Sequence, residues 1–160
     1  MQTNIETVDY NNQAQAKDLV FLLNSYAEDP MGGNEGLSDF TKQNLALTLA
    51  KVPYAFSLIL YADGQPAGLA NCILGFSTFA CKPLINIHDL AVHADFRGKG
   101  FGKMLLEAVK QEAIKRDCCK VTLEVLSGNE VAYNAYLSFG FKAYQLDDTT
   151  GNAHFLELKL

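Results

Sequence analysis

The first half of the chain combines a short extended segment with two helical patterns. Residues 5–8 predict a short first strand. Apolar side chains then recur with helical spacing from 13 to 27, which predicts an amphipathic helix. The glycine-rich stretch 29–36 breaks this pattern. A second helix is predicted over 38–51, with the Ser38 side chain as its N-terminal cap.

The middle of the chain is more continuously apolar and predicts extended structure. Two runs, 54–62 and 65–80, are joined by the dipeptide Asp63-Gly64, which favours a tight hairpin turn. A further run, LINIHDLAV, predicts a strand over 84–92. These patterns indicate an antiparallel hairpin followed by a third strand.

From residue 103 onward the pattern predicts helix, strand and helix in turn. Residues 103–116 carry the clearest amphipathic helix, and 119–126 alternate as CKVTLEVL, which is typical of a strand. The sequence Ser127-Gly-Asn-Glu130 matches the S-x-x-E capping pattern. It predicts the start of a short helix that ends at Gly140.

The order of the predicted elements indicates the class of fold. The final segments, 141–146 and 154–160, predict a closing hairpin. A strand, two helices, antiparallel strands and then a strand–helix–strand unit are typical of a mixed α/β (α+β) sheet. The 160 residues are expected to form a single domain over 1–160, which is large enough to bury a core without disulfides or structural metal.

Composition and charge exclude several classes of partner. The net charge is -5, from 13 Lys+Arg and 18 Asp+Glu, so binding to nucleic acid or an anionic membrane is not expected, whereas a small cationic partner is favoured. The N-terminal sequence lacks a secretory signal and no apolar run is long enough to span a bilayer, so a cytoplasmic location is expected. The four cysteines include no C-x-x-C pair, and no metal site is predicted.

The segment FRGKGFGKML, residues 96–105, joins a predicted strand to a predicted helix and carries three glycines among basic residues. A helix N-terminus presents unpaired N–H groups, and glycine allows the backbone to approach an anion closely. A P-loop is excluded because Arg97 stands where its first glycine belongs and Met104 where Ser or Thr belongs. The dinucleotide pattern G-x-G-x-x-G fails as well. An ordinary strand-to-helix turn is the alternative interpretation.

Two motifs together resemble one known family. Arg97, Gly100 and Gly102 fit R/Q-x-x-G-x-G/A, the pyrophosphate loop of the GNAT superfamily of acyl-CoA-dependent N-acyltransferases. The downstream run N-x-x-A-x-x-x-Y-x-x-x-G-F of that superfamily also matches. The resemblance covers 84–146 closely and the earlier part only in the order of elements. Its second motif is carried by Asn129, Ala132, Tyr136, Gly140 and Phe141.

The resemblance implies a GNAT-like fold and acetyl-CoA as the cofactor. The central sheet would be mostly antiparallel, flanked by helices, and splayed between the strands at 84–92 and 119–126. The pantetheine arm would lie in the gap against backbone groups of the first of these strands, and the glycine segment would hold the pyrophosphate. The cofactor-binding residues implied are Leu90, Ala91, Val92, Arg97, Gly98, Lys99, Gly100, Phe101, Gly102, Lys103, Asn129 and Tyr133.

The implied chemistry, attack of an amine on a thioester, needs a neutral amine and a protonated leaving thiolate. Deprotonating a lysine-like amine at pH 7 costs roughly 4.6 kcal/mol, so a base is useful. Tyr136 matches the usual acid of the superfamily, although a packing role is the alternative. His88 matches the place of a glutamate base in polyamine N-acetyltransferases, and imidazole titrates near neutral pH. A structural histidine is the alternative, and strand alternation predicts Asp89 on the opposite face.

The acceptor is expected to be a small, cationic primary amine attacked directly in a ternary complex. Asp29, Glu35 and Asp39, on the connector around 29–39, are candidate substrate-binding residues, unless this loop is simply solvated. A protein lysine or N-terminal acetyltransferase and a non-catalytic acyl-CoA-binding regulatory module are the alternative functions. Pairing of subunits is common in the superfamily, so a homodimer is among the expectations.

Overall fold

The computed structural model describes residues 1–147 and 149–160. These residues fall into two compact units, Met1–Glu124 and Val125–Leu160, and the single domain stays a prediction. No described helix combines the length and apolar composition needed to cross a membrane. The elements are β1 (Thr3–Thr7), α1 (Gln13–Glu28), α2 (Asp39–Leu49), β2 (Ala55–Ala62), β3 (Gln65–Ser77), β4 (Lys82–Val92), a 3-10 turn (Ala94–Phe96), α3 (Phe101–Lys115), β5 (Val121–Leu123) and α4 (Glu130–Phe139).

The first unit contains a five-stranded sheet in the order β1-β2-β3-β4-β5. The strands β1 to β4 pair antiparallel, and β5 pairs parallel to β4. The predicted hairpin is confirmed: Asp63 and Gly64 connect β2 and β3 with φ of 47° and 77°. Positive φ at both positions matches the right-handed twist of the strands that they join.

Helices cover both faces of this sheet. On one face α1 and α2 enclose an apolar cluster that includes Leu19, Ile59 and Leu69. On the other face α3 buries Leu105, whose Cδ1 atom would lie 3.0 Å from a Cβ added to Gly68. Because Gly68 precedes Leu69 in β3, their side chains point to opposite faces. The glycine therefore allows α3 to pack closely against the sheet.

The sheet opens between β4 and β5. These strands pair at Ile85–Val121, Asn86–Thr122 and Ile87–Leu123, while β4 continues to Val92. The strand predicted over 119–126 is therefore too long, because the chain leaves β4 after Leu123. The splayed sheet is confirmed, and the last residues of β4 have no β5 partner beside them.

The second unit carries α4 and the C-terminal segment. Asn129, rather than Ser127, caps the helix, because its Oδ1 accepts a hydrogen bond from the Ala132 amide at 3.2 Å. Gly140 ends the helix with φ of 118°, as predicted. The closing hairpin is wrong: its described residues show one isolated bridge, Gln145–Asn152. A two-stranded hairpin alone is marginal in water.

Candidate functional site

The glycine turn, residues 97–103, has a backbone conformation that only glycine adopts easily. Gly98 and Gly100 have φ of 76° and 80°, in the left-handed region. No heavy atom lies within 4 Å of a Cβ added at either position, so conformation rather than space requires glycine. Gly100 is the N-cap of α3 and provides no side-chain cap. The first amides of the helix therefore remain available to an anion.

Gly102 differs from the other two glycines of the turn. It lies in the first turn of α3 without a positive φ, and an added Cβ would meet only the Val92 Cγ2 atom, at 4.0 Å. Neither the backbone nor the packing of the described residues therefore requires glycine here. Glycine in a helix costs about 0.5–1 kcal/mol relative to alanine. An external group that approaches the main chain closely is a physical reason for keeping it.

Two of the three basic side chains in the turn are held by specific contacts. The Arg97 Nε donates to the Val92 carbonyl at 3.1 Å, and its Nη2 donates to Asp29 Oδ2 at 2.8 Å. The Lys99 Nζ lies 5.1 Å from the Phe96 ring centroid and donates to the Asp95 carbonyl at 3.3 Å. Lys103 is exposed in the first turn of α3. Arg97 thus ties the turn both to the end of β4 and to the loop that follows α1.

A row of aromatic rings packs next to the glycine turn. The rings of Phe21 and His93 stack at 5.2 Å, and those of Phe96 and Phe101 at 6.2 Å. His93 contacts Phe96 edge-on at 6.2 Å, so the four rings form a continuous row from α1 to the start of α3. Phe101 is buried, which shows that its side chain belongs to the core while its backbone belongs to the turn.

Among the described residues, no strand pairs with the end of β4 on one of its edges, where the Val92 carbonyl accepts the hydrogen bond from Arg97 Nε. Leu90, Ala91 and Val92 pair with Ala70, Leu69 and Gly68 of β3. On the opposite edge, pairing with β5 ends at Ile87. Alternate amides and carbonyls of an extended strand point to its two edges, so this edge can pair with an extended ligand.

A β-bulge occurs in β4 at His88. Ile87 pairs with Cys72 and Asp89 pairs with Asn71, which leaves His88 without a Cα partner on β3. Strict alternation, from which we expected His88 and Asp89 on opposite faces, therefore does not decide their orientation here. The His88 side chain is exposed, whereas Asp89 is half-buried.

Asp89 ends a chain of hydrogen bonds that crosses three strands. Asn71 Nδ2 donates to Asp89 Oδ2 at 2.9 Å, and Ser57 Oγ donates to Asn71 Oδ1 at 2.6 Å. The Tyr10 hydroxyl lies 2.9 Å from Ser57 Oγ. We call these four residues the relay. Ser57, the most enclosed of them, is 1% exposed.

The pKa of Tyr26, in α1, is affected by burial and by the charge of Asp89. Burial raises the pKa of its hydroxyl, and the negative charges of Asp89 and Asp29 raise this pKa further. The hydroxyl is therefore protonated throughout the neutral range and is available as a hydrogen-bond donor or acceptor. Helix α1 packs against β4, the strand that carries the bulge.

The candidate acceptor residues have different surroundings. Asp29 is paired with Arg97, and its Oδ1 accepts a hydrogen bond from the Met31 amide at 2.9 Å. These two donors, the amide first, lower the pKa of Asp29. Glu35 and Asp39 are exposed, in the loop and in the first turn of α2.

The remaining predicted residues belong to the second unit and are described on their own. Tyr136 of α4 is half-buried, and its ring packs edge-on against Phe141 with centroids 5.9 Å apart. Tyr133 is 41% exposed on the same helix. The Asn129 side chain caps this helix. The roles assigned to these three residues stay predictions.

Ser57, Asn71, Tyr10 and Tyr26 were not among the sequence candidates. The signal that could have found two of them is local: Ser57 and Asn71 each interrupt an otherwise apolar strand, in AFSLILYA and GLANCIL. A polar residue inside such a strand needs a partner, which is often another such residue. Tyr10 and Tyr26 carry no comparable signal.

One protein family matches most of this chain. The Acetyltransferase (GNAT) family matches residues 19–141. An L-ornithine N5-acetyltransferase of Arabidopsis thaliana is 34% identical over 94 residues, which are 57% of this chain and 41% of that protein. A thialysine N-epsilon-acetyltransferase of Bos taurus is 30% identical over 89 residues, 51% of each chain. The chain thus spans about half, or less, of these relatives.

Solved structures show the same fold at lower sequence identity. The crystal structure of an aminoglycoside acetyltransferase from an uncultured soil metagenomic sample has a TM-score of 0.78 and 20% identity, and the match covers 99% of this chain and 97% of that chain. The family match extends over most of the chain, from α1 to the residue after Gly140, and includes the glycine turn. The chain therefore belongs to the acetyltransferase (GNAT) family.

Proposed function

We propose that this protein transfers an acetyl group from acetyl-CoA to a primary amine of a small, cationic acceptor. Membership of the family supports the reaction class. The two curated relatives are named for acetylating ornithine and thialysine, which are both amines. The net charge of -5 favours a cationic partner over an anionic one.

The glycine turn is the observation that carries this proposal. Two left-handed glycines lead into an uncapped helix, and Gly102 leaves free space over the first amides of α3. These residues fit a diphosphate, because its oxygens need several N–H donors and close approach of the backbone. The unpaired edge of β4 fits the amide groups of a pantetheine arm in the manner of an added strand.

Different residues of the chain are proposed to orient the cofactor and to transfer protons. Acetyl-CoA supplies an acetyl group activated as a thioester. The backbone of Leu90, Ala91 and Val92 would orient the arm, so that the thioester carbon lies near the β4 bulge. His88 remains the proposed base, which removes a proton from the acceptor amine directly or through water.

Tyr136 remains the proposed general acid. When the amine nitrogen bonds to the thioester carbon, the carbon–sulfur bond breaks and the thiolate needs a proton. A tyrosine hydroxyl supplies that proton, and such assistance is worth about 10²-fold or more. The order of events is direct attack in a ternary complex, with no acyl group held by the protein.

Three measurements on the purified chain test the proposal. Calorimetry should show saturable binding of CoA and acetyl-CoA. Thiol release from acetyl-CoA should depend on an amine when L-ornithine, thialysine and an aminoglycoside are supplied in turn. Initial rates at varied concentrations of both substrates should give intersecting double-reciprocal lines; parallel lines would contradict the ternary complex.

The outcomes separate the alternative functions. Tight binding of acetyl-CoA without thiol release for any amine would favour a binding module. Release with a library of peptides but none of the small amines would favour a protein acetyltransferase. Absence of saturable binding for both CoA and acetyl-CoA would remove the basis of the proposal.

A further inference from the structure

The hydrogen bonds of the relay have one direction. A carboxylate only accepts hydrogen bonds, so the Asn71 amide must turn its Nδ2 toward Asp89. The Asn71 Oδ1 then faces Ser57, whose single hydroxyl proton is donated to it. The Tyr10 hydroxyl must in turn donate to Ser57 Oγ. Every donor therefore points toward Asp89, and each bond polarises the next.

The relay uses only one oxygen of Asp89. Over residues 1–147 and 149–160, no donor lies within hydrogen-bonding distance of Asp89 Oδ1. In the same part of the chain no buried side-chain oxygen lacks a partner, so this atom reaches solvent. One oxygen is thus fixed from inside the sheet, and the other is presented outward.

The fold by itself does not need the relay. Ser57 and Asn71 lie on the sheet face that holds the apolar cluster of Ile59 and Leu69, where apolar side chains would pack without any polar partner. Replacing a buried polar pair by apolar groups of similar shape is often neutral for stability. A chain of satisfied polar side chains in this place, ending on the Asp89 carboxylate, therefore indicates that the second oxygen of Asp89 has a functional role.

Asp89 lies beside the proposed base, His88, and beside the strand edge proposed to bind the pantetheine arm. Asp89 comes directly after His88 in the bulge and directly before Leu90, where the free edge of β4 begins. Helix α1, which carries Tyr26, packs against β4. A carboxylate oxygen in this position has the charge and the lone pairs that an amine or ammonium donor requires.

We propose that Asp89 accepts a hydrogen bond from the acceptor amine through its open oxygen, and that Asn71, Ser57 and Tyr10 position it. This inference rests on the proposed function and deepens it. Asp89 is then a catalytic residue that touches the substrate, whereas the three relay residues act through it. The proposal concerns binding and orientation of the amine, and it leaves proton removal with His88.

A double-mutant cycle tests the assignment. Asp89→Asn and Asn71→Ala should each lower kcat/KM for the best amine of the panel by roughly 10- to 100-fold, the worth of a hydrogen bond to a charged group. The Kd for acetyl-CoA should stay within about twofold, since neither residue is part of the glycine turn. In the Asp89→Asn background, Asn71→Ala should cause no further loss of kcat/KM, while its effect on Tm persists.

Tyr10→Phe tests the far end of the relay without disturbing its packing, and serves if Asn71→Ala does not fold. We expect a loss of about two- to fivefold in kcat/KM, because a weaker neutral hydrogen bond is removed one step further away. Tyr61→Phe is the matched control. It removes a hydroxyl that donates to Asp18 Oδ2 at 2.9 Å, outside the relay, and should leave kcat/KM unchanged.

The results distinguish this inference from the proposed function. A wild-type protein that acetylates an amine, together with an Asp89→Asn variant that keeps its kcat/KM, overturns the role of Asp89 alone. Additive losses for Asn71→Ala and Asp89→Asn overturn the positioning role of the relay. Absence of turnover in the wild type with every amine of the panel overturns the proposed function and this inference together.

Discussion

The relay ends on β4 at Asp89, and the glycine turn follows β4 a few residues further along the chain, yet the two regions are built differently. The turn depends on main-chain conformation: Gly98 and Gly100 have positive φ, and α3 begins without a side-chain cap. The relay depends on side-chain chemistry, with an ordinary backbone apart from the bulge. The first arrangement suits a ligand that is the same in every turnover, and the second suits the group that confers selectivity.

Mutations in these two regions should have different effects. A change in the turn should alter cofactor affinity, whatever side chain is introduced, because its donors are amides. A change in the relay or in a side chain that performs chemistry should alter the catalytic constants and leave cofactor affinity intact.

Tyr136→Phe should have the largest effect, and it should lower the rate of acetyl transfer without changing cofactor binding. Loss of the proposed acid is expected to lower kcat by about 10²-fold, because the thiolate must then leave unprotonated or take its proton from water. Calorimetry should find the Kd for acetyl-CoA nearly unchanged. Equal losses in kcat and in cofactor affinity would instead assign Tyr136 to packing.

Gly100→Ala should weaken the binding of CoA about tenfold or more, since a Cβ at a φ of 80° is strained and shifts the amides of the turn. Gly64→Ala is the matched control. Gly64 has φ of 77° and the same open space, but it lies in the β2–β3 hairpin. Both variants should lose about 1–2 kcal/mol of stability in urea unfolding. A similar loss of CoA affinity in both would contradict a specific role for the turn.

Gly102→Ala should separate stability from binding. Alanine is expected to stabilise α3 by about 0.5–1 kcal/mol, because glycine is a poorer helix former and the new methyl group meets open space. The same methyl group should weaken CoA binding severalfold, because it occupies the approach to the first amides. Thermal unfolding and calorimetry on one preparation measure both. Stabilisation with unchanged affinity would remove the ligand explanation for this glycine.

Asp29→Asn should have the smallest effect, because the pair with Arg97 is partly exposed. At neutral pH we expect a stability loss below about 1 kcal/mol. The pKa of Asp29 is lowered in the folded state, so its contribution is present above the usual value of 3.8 and is lost as the pH falls through the lowered pKa. Acid titration of the wild type and the variant should therefore converge.

The same variant also tests how the acidic loop affects the turn. With the negative charge removed, Arg97 no longer has a carboxylate in competition with phosphate oxygens. CoA binding should tighten about twofold to fivefold at low salt and less at high salt. Weaker binding would mean that Asp29 holds Arg97 in its productive position.

Prediction from sequence succeeded where the signal was local. The helix beginning at Gln13, the Ser38 cap and the turn at Asp63-Gly64 all depend on neighbouring residues, and each was confirmed. Two predicted element ends were wrong. The strand after Cys119 is shorter than its alternation predicts, because its length depends on pairing with the distant strand β4. Asn129 replaces Ser127 as the cap of α4, because two nearby residues can both cap a helix and the capping pattern named the wrong one.

The candidate site shows the same division. The glycine turn could be found from sequence because glycines, flanking charges and the start of a helix adjoin one another along the chain. The pairing of Arg97 with Asp29 could not, because 68 positions separate these residues. The bulge at His88 was also missed, since a bulge changes the register between two strands and leaves no mark in the alternation of one.

Sequence alone indicates the class of fold and the family and predicts a main-chain site at the glycine turn, because helical periodicity, turn residues and a glycine pattern act over a few neighbouring positions. Which side chains meet depends instead on the tertiary structure. Tyr10 comes from the turn before α1, and Ser57, Asn71 and Asp89 come from three neighbouring strands. The sheet register brings these four residues into one line of hydrogen bonds. The direction of that line follows from the charge at its end, which acts only after the strands are paired.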